Sequence, residues 1–225
     1  MKLLGIETSS RVGSVALAVD GRIEAREIPT PREQTERLLA LVDELLGAAG
    51  LAVASLDGIA FGRGPGSFTG LRIAAAVAQG LAAPRNLPLL PVSSLLCLAQ
   101  RAWRSERVTR ALVCVDAHMG EVYWGEFEAH DGGVRAAGDE RLGAPADIVV
   151  PTGSPWTAVG DGFVAHREAL APVLAAAAGA LPSLEPAAQD LFPAAAEALA
   201  AGRAATPRDA LPVYLREHTA WRRGG

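Results

Sequence analysis

LLGIETSSRVGSVALAVDGRIEAREI, Leu3 to Ile28, opens the chain with three β-rich runs in close succession: LLGIE, VGSVALAV and RIEAREI. Asp20-Gly21 separates the second and third runs at the place where a tight hairpin turn needs positive φ, so these strands are expected to be antiparallel. The pattern starts again at Arg110. RALVCVDA and GEVYWGEFEA read as two strands, His130-Asp131-Gly132-Gly133 as a turn, and a third strand is expected after it. An internal duplication, with a strand hairpin opening each half, is the simplest account.

The stretch between the two hairpins is helical and apolar by turns. Thr30-Pro31-Arg32-Glu33 has the form of a helix start, with an N-cap hydroxyl, proline at the first helical position and Glu three residues after the cap. Leu38, Leu41, Val42, Leu45, Leu46 and Ala49 then recur at three and four residues, and Gly47 or Gly50 can end the helix. Leu39 lies off that stripe. A short strand from Asp57 to Phe61, the loop GRGPGS and a helix from Phe68 to Ala82 follow; Gly70, Ala74 and Ala78 repeat every four residues and suit a close helix crossing. LPLLPV reads as a buried strand, and Ser93 caps a helix reaching to Trp103. Beyond the second hairpin come a strand end at VGDG near Val159, helices over 167–178 and 187–201, and a tail PVYLREHTAWRR. The expected domains are 1–105 and 106–225, divided in the polar stretch Arg104 to Arg110, with the tail free to pack on the first.

Composition narrows the chemistry. With 225 residues the chain can form one large domain or two of about 100 residues each. Half the residues are apolar and a fifth charged, which fits a folded globular protein, and a net charge of -4 does not suit a chain that grips nucleic acid by itself. Of 21 basic residues only Lys2 is a lysine, which removes a phosphate-loop lysine, a Schiff base and a lysine general base together. Cys97 and Cys114 sit in apolar runs and read as buried thiols in a reducing compartment. His118, His130, His166 and His218 lack metal-ligand spacing, HExxH and GxSxG are absent, and the expectation is no metal, no cofactor, no membrane span and a cytoplasmic location.

Four features stand out. At IETSS, Ile6 to Ser10, an acid and three hydroxyls end a strand at a hairpin bend; they either hold a phosphate and its magnesium or fill a turn. GRGPGSFTGLRI, Gly62 to Ile73, feeds a helix N-terminus; Gly62, Gly64, Gly66 and Ser67 suit an anion, or the glycines do no more than permit the backbone path. DAHMGEVYWGEF, Asp116 to Phe127, repeats the first geometry, so Asp116 and Glu7 are expected to face each other as paired carboxylates around a nucleotide, with His118 as a turn residue. Apolar surface on the first two helices beyond what one core face requires is either packed under the chain or reserved for a partner.

These residues, together with AQGLA at Ala78 to Ala82 and PVYLR at Pro212 to Arg216, resemble the bacterial TsaB family, also called YeaZ, in one register from Met1 to about Trp221. The resemblance implies an α/β, actin-like or sugar-kinase-like fold of two related halves. It also implies a role in threonylcarbamoylation of the adenosine beside the anticodon of certain tRNAs, as a non-catalytic relative and partner of TsaD, which carries the metal and transfers the threonylcarbamoyl group. A small ATPase, TsaE, completes that machinery. TsaD-type proteins place two metal-ligating histidines four residues apart, and here Ser94 and Leu98 stand in those places. The implied TsaD interface is Leu38, Leu41, Val42, Leu45, Leu46, Gly70, Ala74, Val77 and Ala78, a surface also suited to a homodimer. Glu7, Thr8, Ser9 and Asp116 become a vestigial nucleotide cleft, and tRNA is reached only through the complex. The competing classes are a stand-alone actin-like ATPase or kinase and a peptidase.

Overall fold

The computed structural model of the chain describes residues 1–216, so His218 to Trp221 of the tail lie outside the described residues. Three antiparallel strands open the chain as the hairpin signals predict: β1 (Lys2–Glu7), β2 (Gly13–Val19) and β3 (Arg22–Ile28). Asp20 and Gly21 turn between the last two with φ of 49° and 87°, the left-handed pair that a tight hairpin demands. Helix α1 (Pro31–Ala48) carries the chain over to β4 (Gly58–Gly64), which pairs parallel with β1; α2 (Phe68–Ala82) leads to β5 (Leu89–Ser93), parallel to β4. Parallel neighbours need such crossovers, whereas the hairpins do not. The sheet order is β3-β2-β1-β4-β5.

Helix α3 (Ser94–Glu106) then leads to β6 (Arg110–His118), β7 (Glu121–His130) and β8 (Gly133–Ala136), again successive antiparallel neighbours. The short strand β9 (Arg141–Gly143) also pairs with β7. β10 (Thr157–Val159) pairs parallel with β6, and, after the short helices α4 (Gly162–Ala165) and α5 (Ala171–Ala176), β11 (Gly179–Leu181) pairs parallel with β10. The path β8-β7-β6-β10-β11 reproduces the first sheet strand for strand, in order and in direction. The duplication is therefore a property of the topology. A 3-10 turn at Ala188–Leu191 and α6 (Phe192–Ala200) follow.

Two compact units result: Met1–Cys97 with Pro186–Val213, and Leu98–Glu185 with Tyr214–Arg216. The division thus falls inside α3 and not at 105/106. The start of that helix belongs to the first unit, where the Cys97 thiol donates to the Ala187 carbonyl, and the polar stretch after residue 103 is the exposed end of the same helix and not a linker. Residues 186–213 return to the first unit, which the 106–225 domain had excluded.

Packing decides what the apolar stripe does. Leu38, Leu41, Val42, Leu45 and Leu46 are all buried, with Ala74 and Ala78, in one cluster with Leu4, Ile6, Val15, Leu17, Ile59 and Phe61 of the sheet. They form the core face of the first unit, each Leu or Val contributing roughly 1.5–3 kcal/mol of burial. The sheet's other face packs under α6 and the preceding turn, through Leu3, Ala16, Ala60, Leu90, Ala188, Leu191 and Phe192.

Some local expectations shift. Thr30 is the N-cap of α1, but its hydroxyl bonds the Glu33 carboxylate at 3.0 Å and makes no cap to the backbone. The helix stops with Gly50 in the left-handed region (φ 64°), the Leu51 N–H reaching back to the Leu46 carbonyl. Pro172 and Pro193 each sit in the first turn of a helix, so the helices expected over 167–178 and 187–201 begin later and are shorter.

Candidate functional site

The glycine-rich loop and the β1–β2 turn are pressed together main chain to main chain. Ser67 caps α2, its Oγ accepting the Gly70 N–H at 3.3 Å, while the Ser67 N–H donates to the Ser9 carbonyl at 2.8 Å and the Thr8 hydroxyl to the Gly70 carbonyl at 2.7 Å. A Cβ on Gly70 would stand 1.8 Å from the Thr8 carbonyl oxygen and one on Gly66 would stand 2.6 Å from that of Ser9. Of the two readings of this loop, the close backbone path is what the geometry uses. Carbonyl oxygens of the turn, those of Thr8 and Ser9, face the α2 N-terminus and occupy the place an anion would take there.

Glu7, at the end of β1, points inward and is fully buried. Its Oε1 accepts the Ser9 N–H at 2.6 Å and its Oε2 the Ser94 hydroxyl at 3.2 Å, and the carboxylate lies flat against Gly62, where any Cβ would come within 2.1 Å. Burial raises its pKa above the ordinary carboxylate value, the donors from Ser9, Ser94 and Thr8 offsetting only part of that cost. Glu7, Thr8 and Ser9 are therefore interior residues of the first unit. Gln34 completes the arrangement: buried on α1, its Nε2 donates to the Ser10 carbonyl at 3.1 Å and pins the turn from the far side. The sequence signal for it was available, since Gln34 lies four residues before Leu38 on the buried stripe.

The second unit builds its own version. Asp116 near the end of β6 accepts from the His118 N–H at 3.0 Å and bonds His166 Nε2 at 2.9 Å, with His118 Nδ1 at 3.0 Å from its other oxygen. Partial burial alone would raise its pKa; His166 first, then His118, outweigh that and hold it below the ordinary value. Asp161, from the VGDG segment after β10, accepts the Asp116 N–H at 3.0 Å and is pushed upward, chiefly by burial and further by the nearby carboxylates of Asp116 and Glu185. Burial also raises the Cys114 thiol, far above the range of a reactive cysteine. The tip itself holds His118 and Met119 at φ of 60° and 56°, positions that non-glycine residues seldom take. Arg216 fastens it from outside, bonding the Glu121 carboxylate and the Ala117 carbonyl. His166 carried no sequence signal: it is fifty residues from Asp116 and lies in no motif.

Ser94 and Leu98, in the places of metal-binding histidines, do not fit a metal: the first spends its hydroxyl on Glu7 and the second is an apolar side chain buried in the interior. Among the described residues no group of three or more His, Cys, Asp or Glu could hold a metal ion, and no helix is long and apolar enough to cross a membrane.

Two α/β units with the same five-strand order, each opened by a hairpin with an acid at the strand end, define an actin-like protein. The sequence model for "TsaD: tRNA N6-adenosine threonylcarbamoyltransferase" matches residues 29–213. The tRNA threonylcarbamoyladenosine biosynthesis protein TsaB of Escherichia coli is 38% identical over 231 aligned residues, 99% of this chain and 98% of that protein. TsaB of Bacillus subtilis is 31% identical over 59% of the chain and 57% of its own length. The solved structure of YeaZ from Pseudomonas aeruginosa superposes with a TM-score of 0.87 at 40% identity, covering 95% of this chain and 99% of that one. The chain belongs to the TsaB (YeaZ) family, within the wider TsaD group.

Proposed function

We propose that this chain is a non-catalytic partner subunit of the machinery that makes threonylcarbamoyladenosine in tRNA, and that it binds and activates TsaD. The observation that carries the reading is the full-length likeness to TsaB combined with Ser94 and Leu98 in place of a metal-binding pair. A chain without those ligands contributes through a partner, by making different contacts in the competent and incompetent states of TsaD. TsaE joins the larger complex, tRNA is met only through it, and the cytoplasm is where such a chain works. A net charge of -4 favours weak binding of tRNA by the chain alone.

The contact with TsaD, and a homodimer in its absence, uses the outward sides of α1 and α2 and not the buried stripe. Leu39 on α1 and Phe68 on α2 are 52% and 54% exposed, and Val77 of α2 is half-buried. Arginine at Leu39 is then expected to leave the fold intact and abolish co-elution with TsaD, whereas arginine at the fully buried Ala74 is expected to unfold the first unit. Circular dichroism and size-exclusion chromatography separate the two outcomes.

The activity test is a reconstitution with TsaD, TsaE, the threonylcarbamoyl adenylate, ATP and tRNA, omitting each protein in turn and reading the modified nucleoside by mass spectrometry. Modification is expected only in the complete mixture. Full activity without this chain overturns its obligatory role, and activity from this chain alone overturns the non-catalytic reading. Steady ATP turnover by the pure chain would favour a stand-alone ATPase instead.

A further inference from the structure

The β1–β2 turn is seated beside one carboxyl, that of Glu7, which has no counter-ion among the described residues. Glu7 is touched by Ser9 of the turn, Gly62 of β4 and Ser94 at the β5–α3 junction. None of these is titratable, and among the described residues no charge on a neighbouring element acts on it, the arginines of the turn and of β4, Arg11 and Arg63, included. The donors of Ser9, Ser94 and Thr8 replace only part of the hydration of an ionised carboxylate, so full burial without a counter-ion favours the neutral acid, whose proton the Ser94 hydroxyl can accept. Glu7 is the last residue of β1, and lifting the turn that follows it exposes the carboxyl while leaving the strand pairing of β1 with β2 and β4 in place.

We propose that Glu7 is a protonation-dependent latch: neutral, it holds the turn Thr8–Arg11 down on the loop Gly66–Gly70, and ionised, it releases the turn and uncovers the start of α2. Lifting breaks a defined set of bonds: Ser67 N–H to the Ser9 carbonyl, Thr8 hydroxyl to the Gly70 carbonyl and Gln34 to the Ser10 carbonyl. The closed state keeps a proton that the open state gives up, so rising pH drives opening by mass action. Gly62 and Gly70 are what allow the closed state, since a side chain at either would keep the carboxyl and the turn from seating.

The measurement is amide hydrogen exchange by NMR on the full chain between about pH 5 and 8, with intrinsic rates divided out. The opening constant of the Ser67 amide is expected to rise by up to tenfold per pH unit, the limit for release of one proton, while the core amide of Ile59, which donates to the Pro88 carbonyl, stays level. In Glu7→Gln, which keeps the shape and cannot ionise, the Ser67 opening constant is expected to be flat. A flat wild-type profile, an equal slope in the variant, or a parallel rise at Ile59 each overturns the latch. Should Glu7→Gln fail to fold, the wild-type Cδ resonance decides: Glu7 must stay neutral at a pH where the other glutamates have ionised, and titration along with them overturns the proposal.

Discussion

The two hairpins occupy the same place in two sheets of identical strand order, yet they treat their acids in opposite ways. Glu7 is buried under Gly62, fed by a backbone amide and a serine hydroxyl, and pushed toward the neutral form. Asp116 keeps 22% of its side chain exposed, sits between His118 and His166, and is held in the charged form. The glycines after the equivalent parallel strands mirror each other as well: a Cβ on Gly70 would meet the turn at the end of β1, and one on Gly160 would come within 2.4 Å of the Cys114 carbonyl in β6. Topology places the acid at the strand end; the partners that later parts of the chain bring determine whether it carries charge.

The largest expected effect falls on the backbone approach. Gly70→Ala drives a methyl group to 1.8 Å from the Thr8 carbonyl and is expected to cost about 3 kcal/mol or to prevent folding, whereas Gly162→Ala meets the Cys114 thiol at 2.6 Å and its carbonyl group only at 3.0 Å, and is expected to cost about 1–2 kcal/mol. Urea denaturation of the two variants compares the hairpins directly, and equal losses would remove the distinction.

The next contrast is in pH dependence, where the two acids have opposite signs. The folded-state pKa of Glu7 is raised, so its contribution is complete below the ordinary value of 4.5 and is lost as pH rises. Glu7→Gln is therefore expected to match wild type near pH 4 and to exceed it at pH 8, by roughly 1 kcal/mol or more. The folded-state pKa of Asp116 is lowered, so its contribution is present above the ordinary value of 3.8 and disappears as pH falls through the folded value. Asp116→Asn is expected to be the less stable protein at pH 7, by about 1 kcal/mol, and to converge with wild type in acid. Thermal melts across pH read both.

The smallest effect isolates one partner. His166→Ala removes the hydrogen bond that does most to lower Asp116, and the Asp116 Cγ titration is expected to move up toward the ordinary value while stability changes by no more than about 1 kcal/mol, as befits a partly exposed pair. No movement of that titration would transfer the role to His118.

Much of this fold was readable because short-range chemistry specifies it. Asp20-Gly21 sets the first hairpin, the three-and-four spacing of leucines sets α1, and the recurrence of a hairpin at Arg110 announces the second unit. Strands β9, β10 and β11 have three residues each, too few for alternation to register, and of them only β10 was signalled, by the VGDG that begins at its last residue. The stripe on α1 identified a buried face but not what buries it, because leucines facing a sheet and leucines facing a partner have the same spacing. The site was the least readable part. Glu7 looks like a turn acid until Gly62 and Ser94, the latter 87 residues away, close over it, and no spacing rule joins His166 to Asp116.

The return of residues 186–213 to the first unit has a consequence for synthesis. The back of the first sheet is covered by α6 and the turn before it, and the Ala188 N–H donates to Ser14 across 174 residues. While the ribosome is still making the second unit, Leu3, Ala16, Ala60 and Leu90 have nothing over them. Residues 98–185 form one unbroken stretch that can collapse as soon as it emerges, whereas the half of the protein begun first must wait to be finished nearly last, with its apolar face open to chaperones in the interval.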